Sequence, residues 1–99
     1  MSKSIPYRDF LIESLRDPKE AEGYLNASLD QGDPKAFLMA LRNVAEANGG
    51  VGEVAGKSKL NRENLYRMLS GRGNPSLKSL EALLSALGFR LAVESKDAA

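Results

Sequence analysis

The side chains best suited to chemistry in this sequence are the cations between positions 57 and 72. This stretch contains one acidic residue, Glu63, among five basic ones: Lys57, Lys59, Arg62, Arg67 and Arg72. The formal net charge of the whole chain is only +1, so positive charge is concentrated here. Clustered Lys and Arg bind polyanions because neutralised phosphates release their counterions. The cluster therefore predicts a phosphate-binding surface, with a solvated helix face as the simpler alternative.

Catalytic chemistry has little support in the composition. The chain contains no Cys and no His, which excludes disulfides, thiolate nucleophiles, imidazole bases and the common zinc ligand sets. Its Asp and Glu residues form no pair within a recognisable acid–base motif. We therefore expect a protein that is not an enzyme and that uses no metal or cofactor.

Length and charge distribution predict a small single-domain protein with an acidic first third. The 99 residues, 42% of them hydrophobic, suffice for one compact core. Residues 1–33 carry seven acidic and four basic side chains, and this charge favours encounter with a basic partner. Neither a bilayer-spanning apolar run nor a signal-like N-terminus is apparent in the sequence. We therefore expect a cytoplasmic protein without membrane contact.

Spacing and capping signals predict an all-α protein of about five helices. Asp17-Pro18 and Asp33-Pro34 each combine an N-cap acid with proline at the first helical position, so a helix should start at each. The first should end near Leu29 and the second before residues 48–50. Apolar residues between positions 7 and 15 indicate a further short helix or turn. In these segments apolar residues recur at spacings of three and four, which is typical of buried helix faces.

A pair of short helices is predicted around the basic cluster. Residues 51–56 should form a weak helix, and residues 57–59 should connect it to the next one. Asn61 is a good N-cap for that second helix, which should span Arg62–Leu69. Its apolar residues share one face and leave four other side chains outward: Arg62, Glu63, Tyr66 and Arg67. Two short helices joined by a tight turn fit the DNA major groove when the second presents a polar, basic face.

The C-terminal part is predicted to be one more helix followed by a short strand. Ser76 should cap a helix of regularly spaced leucines that Gly88 ends. Alternation over residues 89–94 places Phe89, Leu91 and Val93 on one side, which is the pattern of a strand. Such a strand needs a partner in its own chain, in a second subunit or in another protein. The predicted organisation is an acidic helical extension at 1–33, a helix-turn-helix domain at 34–88, and a strand with a tail at 89–99.

Two sets of residues carry a resemblance to known families. The stretch at 60–76, LNRENLYRMLSGRGNPS, and the ending LLSALG at 83–88 resemble the helix-turn-helix of Xre/Cro-type phage repressors. Short segments in order along the chain narrow the resemblance to the addiction-module antidote proteins, the Hig-type antitoxins: Tyr24-Leu25-Asn26, Gly32-Asp33-Pro34, Ala40-Leu41, Val44-Ala45, Leu65-Tyr66-Arg67, Asn74-Pro75 and Leu87-Gly88. Together these segments extend the resemblance over about residues 5–92.

The resemblance implies an antitoxin that represses its own operon and sequesters a small basic toxin similar to RelE or ParE. It also implies a phage-repressor-like bundle that binds double-stranded operator DNA as a homodimer. In the family pattern Arg62, Glu63 and Arg67 lie nearest the base edges, where arginine can bind guanine and glutamate can accept from cytosine. The family pattern also implies a second set of residues that contact the DNA backbone or support the helix at 62–69: Lys57, Lys59, Asn61, Asn64, Tyr66, Arg72 and Asn74.

Simpler roles exist for some of these residues. Asn61 can be only a helix cap, and Glu63 only an i,i+4 partner of Arg67. The repressor turn usually has glycine where this chain has Lys59, so Lys59 is expected to need a positive φ that strains, shifts or lengthens the turn. Two other functions stay open, namely a stand-alone phage-derived Xre-type repressor and a helix-turn-helix fold used only for protein interaction.

Overall fold

The computed structural model describes residues 6–97, and these form six α-helices without a strand. The helices are α1 (Tyr7–Ser14), α2 (Pro18–Asp30), α3 (Pro34–Ala47), α4 (Val51–Ser58), α5 (Arg62–Met68) and α6 (Leu77–Ala86). The all-α class agrees with the sequence, but the count of about five helices and the C-terminal strand were wrong. Residues 1–5 of the predicted extension and 98–99 of the predicted tail lie outside the described part. None of the helices within 6–97 has the length and apolarity needed to span a membrane.

Side-chain caps start four of the helices, at the positions that the sequence indicates. The Asp17 and Asp33 carboxylates each accept a hydrogen bond of 3.0 Å, from the backbone N–H of Lys19 and of Lys35. Asn61 and Ser76 cap α5 and α6 in the same way. A side-chain oxygen at an N-cap satisfies donors that the helix itself leaves unpaired. The predicted starts of α2, α3, α5 and α6 are therefore confirmed.

Helix α4 lies at the centre of the second half of the molecule. It contacts α3, α5 and α6, and its Val51, Val54 and Ala55 are buried. The small side chain of Ala55 permits close helix approach, and two valines fill the remaining space. The core around α4 is completed by buried residues of its neighbours: Leu41, Val44, Leu65, Leu69 and Leu83. This core fixes α5 against the rest of the protein.

The two N-terminal helices pack on α3 and belong to the same core. Leu15, Ala21 and Leu25 are buried in one cluster with the residues around α4. A chain of hydrogen bonds reinforces the contact: Arg8 Nη1 donates to Asn43 Oδ1 at 2.8 Å, and Asn43 Nδ2 donates to the Tyr24 hydroxyl at 2.7 Å. Helices on both sides of the predicted boundary at residue 33 thus contribute to one core.

The predicted strand at residues 89–94 is irregular chain instead. Gly88 has φ +91°, and the Phe89 N–H donates back to the Leu84 carbonyl at 2.8 Å. These features are a helix C-cap in which the residue after the glycine also packs on the helix. Phe89 is therefore used to close α6, and Val93 is fully exposed. Residues 6–97 contain no strand with which this segment could pair, so its alternating pattern forms no sheet hydrogen bonds.

Candidate nucleic-acid interface

Helices α4 and α5 are joined by a turn of three residues, 59–61. The sequence placed the connection at 57–59, two residues too early. Ser58 explains the difference, because its hydroxyl donates to the Ala55 carbonyl at 3.2 Å and accepts from the Leu60 N–H at 3.3 Å. These bonds stabilise the end of α4, which extends two residues beyond the predicted end at 56. Lys57 consequently lies exposed in the last turn of α4 rather than in the connection.

Lys59 ends α4 with a left-handed backbone. Its φ of +60° and ψ of +21° make it the one non-glycine residue with positive φ between positions 6 and 97. The positive φ expected at this position is therefore confirmed. An L-residue is destabilised in this conformation because its Cβ approaches the following carbonyl oxygen. The Lys59 side chain is exposed, so its ammonium group is accessible to solvent.

Helix α5 presents the face that the sequence predicts. Leu65 and Met68 are buried against the core, and Leu60 in the preceding turn packs partly against it. Five side chains of the helix are exposed: Arg62, Glu63, Asn64, Tyr66 and Arg67. The structure thus brings all three predicted base-reading residues onto one accessible helix, together with two of the supporting residues.

Hydrogen bonds at α5 show which of its side-chain groups are already used within the helix. The Asn61 side-chain oxygen accepts from the N–H of Glu63 at 2.8 Å and of Asn64 at 3.2 Å, so this oxygen acts as the helix cap. Arg67 Nη1 donates to Asn64 Oδ1 at 3.2 Å. Among the described residues the salt-bridge contacts comprise only Arg16 with Glu13, so Glu63 is not an ion-pair partner of Arg67. In the described chain, Arg62 and Arg67 therefore form no salt bridge, although Glu63 is exposed on the same helix.

Arg62 is held by contacts that the sequence did not reveal. Its guanidinium carbon lies 5.8 Å from the centre of the Tyr66 ring, a distance at which a cation is attracted to the ring face. The guanidinium also approaches Gly52 of α4, where an added Cβ would lie 3.3 Å from the same carbon. Gly52 therefore makes room for Arg62, a role that depends on how α4 and α5 meet in space.

The loop after α5 extends the polar surface. Arg72 and Asn74 are exposed there, and with Asn64 and Arg67 they line a cavity of about 300 Å³ between α5 and the start of α6. Gly73 lets this loop fold back on α5, because a Cβ at this position would lie 2.8 Å from the Met68 Cα and closer still to its carbonyl oxygen. The loop side chains predicted to support binding thus lie beside the α5 face.

These features define a small all-α protein in which the exposed cationic helix α5 packs through its apolar face on α4 and the core. A family model described as "Probable addiction module antidote protein" matches residues 8–95. A protein of Haemophilus influenzae (strain ATCC 51907 / DSM 11121 / KW20 / Rd), named only "Uncharacterized protein", is 32% identical over 88 residues, which cover 88% of this chain and 90% of that protein. No solved structure gives a significant match.

The chain belongs to the family of probable addiction module antidote proteins. An antidote of this kind counteracts a toxin, so membership implies a toxin partner in general. This result agrees with the antitoxin role expected from the sequence.

Proposed function

We propose that this protein is the antitoxin of a toxin–antitoxin pair and that it also represses its own operon by binding DNA through α5. The observation that carries the DNA-binding part is the exposed α5 face, whose Arg62 and Arg67 lack a carboxylate partner in the described chain. A short helix with such a face, preceded by a second helix and a tight turn, suits insertion into the major groove. The sequence segments that resemble Xre/Cro-type and Hig-type proteins, taken in their order along the chain, support the same assignment.

In this proposal Arg62, Glu63 and Arg67 read base edges. Arginine offers paired donors to guanine, and the Glu63 carboxylate accepts from cytosine. Lys57, Lys59, Tyr66, Arg72 and Asn74 contact phosphates or support the helix, and Asn61 and Asn64 order its first turn. Phosphate contacts set position and affinity, whereas base contacts set sequence preference.

A symmetric dimer completes the proposed repressor. One α5 reads only one half-site, and two copies related by a twofold axis present two such helices to a palindromic operator. Action on chromosomal DNA places the protein in the cytoplasm, and binding to DNA and toxin requires no enzymatic activity, metal or cofactor. The toxin proposed for it is a small basic protein of the RelE or ParE type.

The test is binding of the purified protein to its own promoter fragment and to a scrambled fragment of equal length, followed by fluorescence anisotropy. The titrations are run at about 50 and about 200 mM salt, because phosphate contacts weaken steeply over this range. We expect the promoter to bind about 1,000-fold more tightly than the scrambled DNA at the higher salt. Analytical ultracentrifugation of the complex should give two chains per operator.

Equal binding of both fragments, or no binding, would remove the repressor assignment and favour a fold used only for protein interaction. Promoter preference without a toxin partner would instead indicate a stand-alone repressor. Co-expression with the product of the neighbouring gene separates an antitoxin from a stand-alone repressor. Co-purification of the two proteins, and growth restored by this chain when that neighbour arrests it, would support the antitoxin role.

A further inference from the structure

A groove crosses the molecule away from α5. It has a volume of about 820 Å³ and lies between α2, the start of α3, the end of α6 and residues 88–94. An adjoining cavity of about 410 Å³ shares Leu29, Phe37 and Leu91 with it and continues to the loop at 73–75. We call these two together the acid-rimmed groove. No residue of α5 lines it, and it meets the proposed DNA-binding surface only at Asn74, in the loop after α5.

Three large apolar side chains line both cavities and are partly open to solvent, and we call them the apolar floor of the groove: Leu29, Phe37 and Leu91. Leu29 is 52% exposed, although Leu25, one helical turn earlier on α2, is 5% exposed and belongs to the core. Leu91, in the segment after α6, is 36% exposed, and Phe37 of α3 is half-buried. Large apolar side chains that converge on an open groove mark a surface for a partner, because the protein's own core leaves them partly exposed to water.

The rim of the groove is strongly acidic. Glu22, Asp30 and Glu94 line its main part and Asp33 lines the adjoining cavity, against one cation, Arg90. In the described part of the chain, none of these groups takes part in a salt bridge. An occupant that brings cations to the rim therefore gains attraction without first breaking an existing ion pair.

We propose that the acid-rimmed groove receives a cationic amphipathic helix of the partner protein. The proposal rests on the antitoxin function above, since the toxin is then that partner. A helix-lined groove with an apolar floor accepts the apolar face of a helix, and the acidic rim pairs with Lys or Arg beside that face. A second copy of this chain fits less well, because a symmetric contact here would place one acidic rim against another.

A synthetic helical peptide tests the charge requirement. The probe is a fluorescein-labelled 18-residue peptide with leucines on one face and lysines on the other, and the readout is anisotropy. The groove variant is Glu22→Lys with Asp30→Lys. The matched control is Glu46→Lys with Glu81→Lys, which makes the same charge change at exposed positions outside the groove. We expect the groove variant to weaken peptide binding about tenfold or more and the control to stay within about twofold of the unmodified protein.

A second pair of variants tests the apolar floor. Leu29→Ser removes an exposed leucine from the groove, and Leu77→Ser removes one that is 67% exposed on α6 and lines neither cavity. Loss of a leucine that becomes buried in the complex should weaken binding about tenfold. The Leu77→Ser variant should bind the peptide as the unmodified protein does. Far-UV circular dichroism confirms that each variant keeps its helices.

The outcomes separate this proposal from the proposed repressor function. Equal loss in groove and control variants, or no peptide binding, overturns the groove assignment whatever the DNA result. Conversion of a dimer into a monomer by Leu29→Ser also overturns it, because the occupant would then be a second copy. Selective loss in the groove variants supports the assignment, even if the unmodified protein shows no promoter preference and only the repressor proposal fails.

Discussion

Lys59 has a backbone conformation that glycine adopts more easily, so a glycine substitution at this position should increase stability. Its φ of +60° ends α4 and sets the angle of the turn into α5. The Lys59→Gly variant should raise the free energy of unfolding by about 0.5–1 kcal/mol, since relief of the left-handed strain exceeds the entropy cost of glycine. Urea denaturation of the full chain measures the change.

Lys57→Gly is the matched control for this prediction. It removes the same charge two residues earlier, in the last helical turn of α4, where glycine should lower the free energy of unfolding by about 1 kcal/mol. Opposite signs for the two variants would show that the backbone of Lys59, rather than its charge, limits stability. Destabilisation by both would contradict the assignment of strain to the turn.

The arginines of α5 should differ from the neighbouring lysine in how they affect DNA binding. Arg62→Ala and Arg67→Ala should each cost about 1–3 kcal/mol on the promoter and relax preference at particular base pairs. Lys57→Ala should weaken all sequences alike and reduce the salt dependence. Anisotropy titrations against a set of single-base variants of the promoter measure both effects. Uniform losses for all three variants would mean that the arginines contact phosphates.

Single-residue roles were predictable where they depend on neighbours in sequence. The caps at Asp17, Asp33 and Asn61 and the positive φ of Lys59 follow from local hydrogen bonding and backbone sterics. Gly52 and Gly73 were not predictable, because each is required by a distant atom that approaches its backbone. Sequence spacing gives no such distance, so the contact of Arg62 with Gly52 emerged only from the packing of α4 on α5.

The connection between α5 and α6 depends on close backbone contact at Gly73. An added Cβ would meet the Met68 backbone, which cannot move aside as a flexible side chain can. Gly73→Ala should therefore lower the free energy of unfolding by about 1–3 kcal/mol. Thermal and urea unfolding followed by circular dichroism measure the loss.

Gly23→Ala provides the comparison within a helix. Gly23 lies exposed in α2, and an added Cβ there meets no atom within 4 Å. Alanine should stabilise α2 and raise the free energy of unfolding by about 0.5–1 kcal/mol. If Gly73→Ala were instead as harmless as Gly23→Ala, the close approach of the loop to α5 would be refuted.

At the scale of helices, the sequence predicted which segments are helical better than it predicted where elements end or what they pair with. Periodic apolar residues with caps identified α2, α3, α5 and α6, since burial of one helix face leaves a repeat of three and four in the sequence. The alternation at 89–94 misled because a strand exists only with a pairing partner, which alternation alone does not supply. Gly88 followed by Phe89 was the signal for the observed ending, a glycine cap in which the Phe89 N–H donates to the Leu84 carbonyl and the side chain packs against the core.

At the scale of the whole molecule, the first two helices and the α4–α6 region share one hydrophobic core. Leu15 and Leu25 are buried in the same cluster as Leu41, Val44 and Leu65, and α3 contacts helices on both sides. The sequence indicated the apolar faces and the acidic first third but not which face meets which. Contacts between distant helices depend on shape complementarity, for which one sequence carries no spacing signal.

One shared core predicts that a destabilising substitution in α2 also destabilises α5, the proposed DNA-binding helix. Leu25→Ala should lower the free energy of unfolding by about 2–5 kcal/mol, because it empties a buried site. Leu29→Ala, a half-exposed leucine on the same helix, should cost less than about 1 kcal/mol.

Native-state hydrogen exchange decides whether that loss is shared. If the chain unfolds as one unit, the slowest amides of α4 and α5 should lose as much protection in Leu25→Ala as those of α2. Wild-type protection of α4–α6 in this variant would instead show that α1 and α2 unfold separately from the rest of the chain. Helix α5 would then stay folded while the α2 wall of the acid-rimmed groove opened, and the proposed partner site would be lost without loss of the proposed DNA-binding face. In a single cooperative unit, by contrast, any substitution that unfolds the groove must also remove α5 from its support, so both binding activities should decline together.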